Sequence, residues 1–178
     1  MLTLHHHPRI AVVGTSCSGK STLSRQLADV LQRPHVELDA LHFGPDWSVR
    51  PDFVDAVRRA ADTEEWIIDG NYTEVRNIVW ARATAVVWLD YPFPVVFRQA
   101  MTRTIRRVWS REVLHGGSRE TFRGAFLQPD GMPLWVIRTY RRRRRENTRM
   151  LGEAEFGHLE VFRLSSRDQA QALLLASP

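Results

Sequence analysis

Apolar residues along the chain fall into short continuous blocks, separated by longer stretches with a helical period. Residues 9–13, built on Ile10-Ala11-Val12-Val13, read as a buried first strand, and residues 21–32 as the helix after it. His35-Val36-Glu37-Leu38 is a short second strand closing at Asp39, and a polar, aromatic connection covers 41–50. Pro51-Asp52-Phe53 opens a helix whose apolar positions are Phe53, Val54, Val57 and Ala60. Trp66-Ile67-Ile68 is a third strand ending at Asp69-Gly70, residues 72–81 a short helix or turn, and residues 85–89 a fourth strand ending at Asp90. Residues 95–111 are helical, with Phe97, Met101, Ile105 and Val108 on one face. A glycine-bearing loop over 115–133 leads to a second helix at about 134–150, a fifth strand at 159–162 and a closing helix at 168–175. Strands that are apolar throughout and alternate with helices predict an α/β fold with a parallel sheet covered on both faces. Ligands of such sheets bind outside the carboxyl ends of the strands.

The length of 178 residues suits one domain spanning 1–178. No apolar run approaches the roughly 20 residues that span a bilayer, so no membrane association is expected. One cysteine excludes an internal disulfide and fits a reducing cytoplasm, and the start of the chain has no apolar leader core. His5-His6-His7 reads as a short tail. The net charge of +5 is uneven. Residues 98–149 hold 14 arginines against Glu112, Glu120, Asp130 and Glu146, a balance of +10, whereas the remainder is at −5. A regional block of this kind contacts nucleic acid or holds the phosphates of a nucleotide.

The chemistry is densest between the first strand and its helix. Gly14-Thr15-Ser16-Cys17-Ser18-Gly19-Lys20-Ser21 fits the phosphate-loop pattern G-x-x-x-x-G-K-[ST], in the strand–helix context the motif requires. Glycines let the backbone turn successive N–H groups toward phosphate oxygens, and the helix N-terminus adds positive potential. Residues Gly14 to Ser21, with Thr22, are the expected nucleotide-binding set. Lys20 is assigned to the β- and γ-phosphates and Ser21 to Mg²⁺. Lys20 is also the chain's only lysine.

Asp39, Asp69 and Asp90 each close a strand, on the ligand side of the sheet. Asp69 is expected to hold the Mg²⁺ shell with Ser21, with Asp90 competing for that role, and Asp39 to orient or deprotonate the acceptor. Arg103, Arg106 and Arg107 share one helical face, and Arg138, Arg141, Arg142 and Arg145 repeat that spacing on the second helix. Two such helices joined by a loop predict a lid over about 109–140, with Arg103, Arg107, Arg138 and Arg142 chosen to act on phosphate. Asn71, Tyr72, His42, Phe43 and Trp47 are candidates to line an acceptor pocket. Cys17 reads as a small tolerated loop residue.

The phosphate loop, Leu38-Asp39, Ile67-Ile68-Asp69-Gly70-Asn71-Tyr72 and the arginine-rich segment together resemble the adenylate-kinase-like P-loop kinases. Within them the chain most resembles the small bacterial proteins called DNA topology modulation proteins, over nearly its whole length. The resemblance implies a three-layer α/β/α sandwich, a five-stranded parallel sheet in the order 2-3-1-4-5, an ATP site at Gly14–Thr22 and an arginine-rich helical lid. Asp69 then matches the aspartate of the Asp-Gly-x-Pro-Arg segment of nucleoside monophosphate kinases, from which this chain departs at Asn71-Tyr72. Ser21 also stands where adenylate kinases commonly have glycine. Asp39 resembles the second-strand aspartates of shikimate and gluconate kinases. The expected function is a cytoplasmic ATP- and Mg²⁺-dependent kinase acting on a nucleoside, nucleotide or polyol. The alternatives are a regulatory module that binds and hydrolyses nucleoside triphosphate, and a nucleic-acid-binding protein that uses the arginine segment.

Overall fold

The computed structural model describes residues 3–44, 48–110 and 131–177. The strands are β1 (Arg9–Gly14), β2 (His35–Glu37), β3 (Trp66–Asp69), β4 (Ala85–Leu89) and β5 (Glu160–Leu164). They form one parallel sheet in the order β2-β3-β1-β4-β5. The helices are α1 (Lys20–Leu31), α2 (Leu38–His42), α3 (Phe53–Ala61), α4 (Thr73–Trp80), α5 (Phe93–Ser110), α6 (Met132–Met150) and α7 (Arg167–Leu175).

Alternation along the strands divides the core in two. Ile10, Val12, Ile67, Val87 and Leu89 face Leu23 and Leu27 of α1, Val96 and Ala100 of α5, Val136 and Tyr140 of α6, and Leu173 of α7. Ala11, Val13, Ile68, Val86 and Trp88 face Phe53 and Val57 of α3 and Val75, Val79 and Trp80 of α4. Because both faces are covered, the inner strands carry no polar side: residues 10–13 of β1, 66–68 of β3 and 85–89 of β4 are apolar and buried throughout. The result is the expected three-layer sandwich.

Two expectations change. The second strand stops at Glu37, and Leu38-Asp39 begin helix α2. Leu38 is buried as a strand position would be, but it packs under Gly70 and turns Asp39 outward. On α5 the buried positions are Val96, Ala100 and Thr104, while Ile105 is half exposed. Val96 and Ala100 share one buried cluster with Val136 and Tyr140 of α6, and that packing turns the 96/100/104 face inward.

Candidate active site

The loop after β1 has the backbone its glycines require. Gly14 has φ +154°, and a Cβ there would stand 2.8 Å from the Leu89 carbonyl oxygen and 2.9 Å from Ser18 Oγ. Cys17 and Gly19 take φ 64° and 96°, and the Ser18 amide donates to the Thr15 carbonyl at 3.1 Å. Helix α1 then starts with no side chain capping its first turn. Ser18 Oγ is buried without a partner at the base of the loop. Uncapped amides, a curled backbone and an orphaned hydroxyl fit a bound polyphosphate. Thr15 and Ser18 are buried, Ser16 and Cys17 partly so, and Thr22 is exposed.

Lys20 lies back along this loop, its Nζ donating to the Thr15 carbonyl at 3.3 Å. Burial of the ammonium pushes its pKa below the ordinary lysine value, while Asp69 and Asp39 pull the other way. Ser21 Oγ donates to Asp69 Oδ1 at 3.3 Å, and His35 Nε2 lies 2.9 Å from Asp69 Oδ2. A hydroxyl beside a buried carboxylate, both oxygen donors, suits a hard cation such as Mg²⁺. Ser21 and Asp69 are thus brought together across 48 residues of sequence.

Asp39, exposed in the first turn of α2, accepts a 2.7 Å hydrogen bond from the Tyr72 hydroxyl. Tyr72 stacks on His42 with ring centroids 4.6 Å apart and meets Phe53 edge-on at 5.2 Å. Burial and the Asp39 carboxylate raise the phenol pKa far beyond its usual value. Arg143 enters from α6, where its Nη1 donates to the Asn71 carbonyl at 2.7 Å. Burial lowers the pKa of its guanidinium, with Arg142 acting in the same direction; Glu146, Tyr72 and Asp39 act against it. Asn71 is also gripped by Arg76, whose Nη2 donates to Asn71 Oδ1 at 3.1 Å.

Of the four arginines expected at the phosphates, Arg103 approaches the loop, its Nη1 3.9 Å from Cys17 Sγ. Arg107 acts electrostatically on the same thiol, whose pKa is raised by burial and opposed by Arg103, Lys20 and Arg107. Arg138 and Arg142 stand elsewhere, on the outer stripe of α6, where Arg142 pairs with Glu146 at 3.8 Å. Arg143 is the arginine of α6 that reaches the Asn71 carbonyl beside Tyr72, a placement that sequence spacing missed. One signal could have found it: Val136, Tyr140, Arg143 and Asn147 follow one helical stripe, and the other three are buried.

Asp90 does not join the Ser21–Asp69 pair. Its buried carboxylate is held by Arg144 Nε of α6 at 2.8 Å and Arg163 Nε of β5 at 2.9 Å. The Arg163 guanidinium also lies over Trp88, 4.5 Å from the ring centroid. Asp90 thus ties α6 to the sheet one residue from Arg143. Trp47 and the greater part of the expected lid, 111–130, lie outside the described residues.

No protein-family model and no curated protein matches the chain. Solved structures do. A shikimate kinase from Bacteroides thetaiotaomicron superposes with TM-score 0.54 at 15% identity, over 95% of this chain and 95% of that one. A shikimate kinase from Aquifex aeolicus gives 0.52 at 18%, over 94% and 92%, and a gluconokinase from Sinorhizobium meliloti 0.50 at 18%, over 94% and 93%. At these identities the likeness is one of fold: the chain has the fold of the P-loop kinases.

Proposed function

We propose that the protein is an ATP- and Mg²⁺-dependent phosphotransferase acting on a hydroxyl-bearing small molecule. One observation carries this reading: Lys20, the Ser21–Asp69 pair, the Asp39–Tyr72 pair and Arg143 converge outside the carboxyl ends of β1, β2 and β3. ATP supplies the activated phosphoryl group. Lys20 and the loop amides bind the phosphates, and Ser21 with Asp69 holds Mg²⁺. Asp39 accepts from the acceptor hydroxyl in place of the Tyr72 phenol, fixing the oxygen and taking its proton. Arg143 faces the charge that develops on the transferring group, the part read from sequence for Arg138 and Arg142. Arg103 and Arg107 flank the loop from α5.

The neighbours named as shikimate kinases and a gluconokinase favour a polyol acid as acceptor, ahead of nucleosides and nucleotides. Among the described residues no helix is long and apolar enough to cross a membrane. The cytoplasmic location belongs to this proposal and rests on the single cysteine, which leaves no internal disulfide. The likeness to adenylate-kinase-like proteins and to the DNA topology modulation group is part of this proposal. The latter name specifies no chemistry of Lys20, Asp69 or Asp39.

The test is acceptor-dependent ADP release over a panel of sugar acids, polyols, nucleosides and nucleoside monophosphates. Asp39→Asn is expected to lower kcat by roughly 10²–10⁴-fold with little change in KM for ATP. Unchanged turnover in that variant removes Asp39 from the mechanism.

A second reading rests on the outer stripe of α6, where Arg138, Arg141, Arg142, Arg145 and Arg149 surround Glu146. Nucleic-acid binding there, with nucleotide as a switch, requires steeply salt-dependent affinity that falls when these arginines are replaced. ATP binding with slow hydrolysis and no acceptor dependence is the regulatory-module outcome.

A further inference from the structure

The parallel register places Glu37 opposite Asp69 and His35 opposite Ile67. Side chains at 35, 37, 67 and 69 therefore leave the sheet on the same side, toward α1. There His35, Glu37 and Asp69 each offer one donor atom, and the three atoms lie within 4.8 Å of one another. The side chains are enclosed, at 14%, 19% and 6% exposure. Asp69 divides its carboxylate: Oδ1 faces Ser21, and Oδ2 faces His35.

We propose that His35, Glu37 and Asp69 form a binding site for one first-row divalent ion of the Zn²⁺ or Co²⁺ type, next to the Mg²⁺ position and chemically different from it. Mg²⁺ seeks oxygen ligands and keeps its waters, and the Ser21 side of Asp69 supplies oxygen only. The other side adds an imidazole nitrogen, a donor that favours Zn²⁺, Co²⁺ and Ni²⁺ over Mg²⁺. Two carboxylates and a neutral imidazole match the charge of one dication. Entry of the ion requires the His35 proton to sit on Nδ1, so that the Nε2 lone pair turns to the metal. It also requires Arg25 to release Glu37; Arg25 is 62% exposed and moves into water. The site does not depend on the kinase reading, and nucleotide is not needed to fill it.

The experiment is a Co²⁺ titration of the full chain without nucleotide, followed by visible d–d absorption. A His5→Ala, His6→Ala background removes the two exposed imidazoles of the terminal run and leaves His7, whose Nε2 lies 3.1 Å from Glu160. The expected result is one Co²⁺ per chain, displaced by Zn²⁺ and not by equimolar Mg²⁺. His35→Gln keeps a donor for Asp69 and should abolish the absorption with thermal unfolding unchanged. If that variant does not fold, Glu37→Gln, on the more exposed ligand, is expected to abolish it. No absorption in the parent chain, displacement by Mg²⁺ as effective as by Zn²⁺, or undiminished binding in the folded variant overturns the proposal.

Discussion

Replacing Asp90 with asparagine separates two roles that its position after β4 allows. As a metal ligand, Asp90 would control the Mg²⁺ requirement; as an anchor, it controls where α6 sits. The carboxylate is 4% exposed, whereas its partners Arg144 and Arg163 are 49% and 48% exposed. Removing the charge therefore leaves two guanidiniums that water can reach, and the full penalty for a stranded buried charge does not apply. Each half-exposed pair is then worth about 1 kcal/mol, at the top of the range for accessible ion pairs. The buried asparagine amide, facing two cations, adds up to about 1 kcal/mol. A total of about 2–3 kcal/mol, at about 2–4 °C per kcal/mol for a chain of this length, gives a Tm drop of about 4–12 °C. Thermal unfolding with and without about 1 M salt measures it, since screening should shrink the difference. In the same variant the Mg²⁺ concentration for half-maximal activity should not move, while kcat falls as Arg143 loses its register. An unchanged Tm, or a tenfold higher Mg²⁺ requirement, refutes the anchor role.

Gly70→Ala tests the joint between the two acidic positions. Its Cβ would lie 2.6 Å from Leu38 Cβ on a backbone of φ +149°. Strain and overpacking cost about 2–5 kcal/mol together, a Tm drop of about 4–20 °C by the same conversion. A wild-type melting curve contradicts the packing. Lys20 gives a pH signature: its lowered pKa means that the folded chain binds fewer protons than the unfolded one between that pKa and the ordinary 10.5. Stability of the nucleotide-free protein should therefore rise with pH across this window, while ATP affinity falls as the ammonium is lost. ATP affinity that stays level up to the ordinary lysine value of 10.5 would contradict a desolvated Lys20.

The alternation of apolar blocks with amphipathic helices made the sheet and its two cores readable from sequence, and the phosphate loop announced itself by local spacing. What escaped was set by tertiary packing. The run Arg141–Arg145 places arginine on every face of α6, so spacing alone could not separate inward Arg143 from outward Arg142. The packing of Tyr140 and Asn147 decides it. Asp69 and Asp90 look alike as strand-end aspartates, and only the side chains opposite them, Ser21 and His35 against Arg144 and Arg163, give them different work. From sequence His35 is a strand residue and no more, because its partner lies 34 residues away and is set by strand register.

In the proposed reaction Lys20 and the loop around it carry phosphoryl transfer to a small acceptor. The most direct measurement is ADP release from Mg-ATP across the acceptor panel, for wild type and Lys20→Ala side by side, with both melting curves recorded. Wild type should show an acceptor-dependent rise that Lys20→Ala loses while the variant remains folded. Full acceptor-dependent activity in Lys20→Ala, or tight ATP binding by wild type with no acceptor raising its turnover, would contradict it.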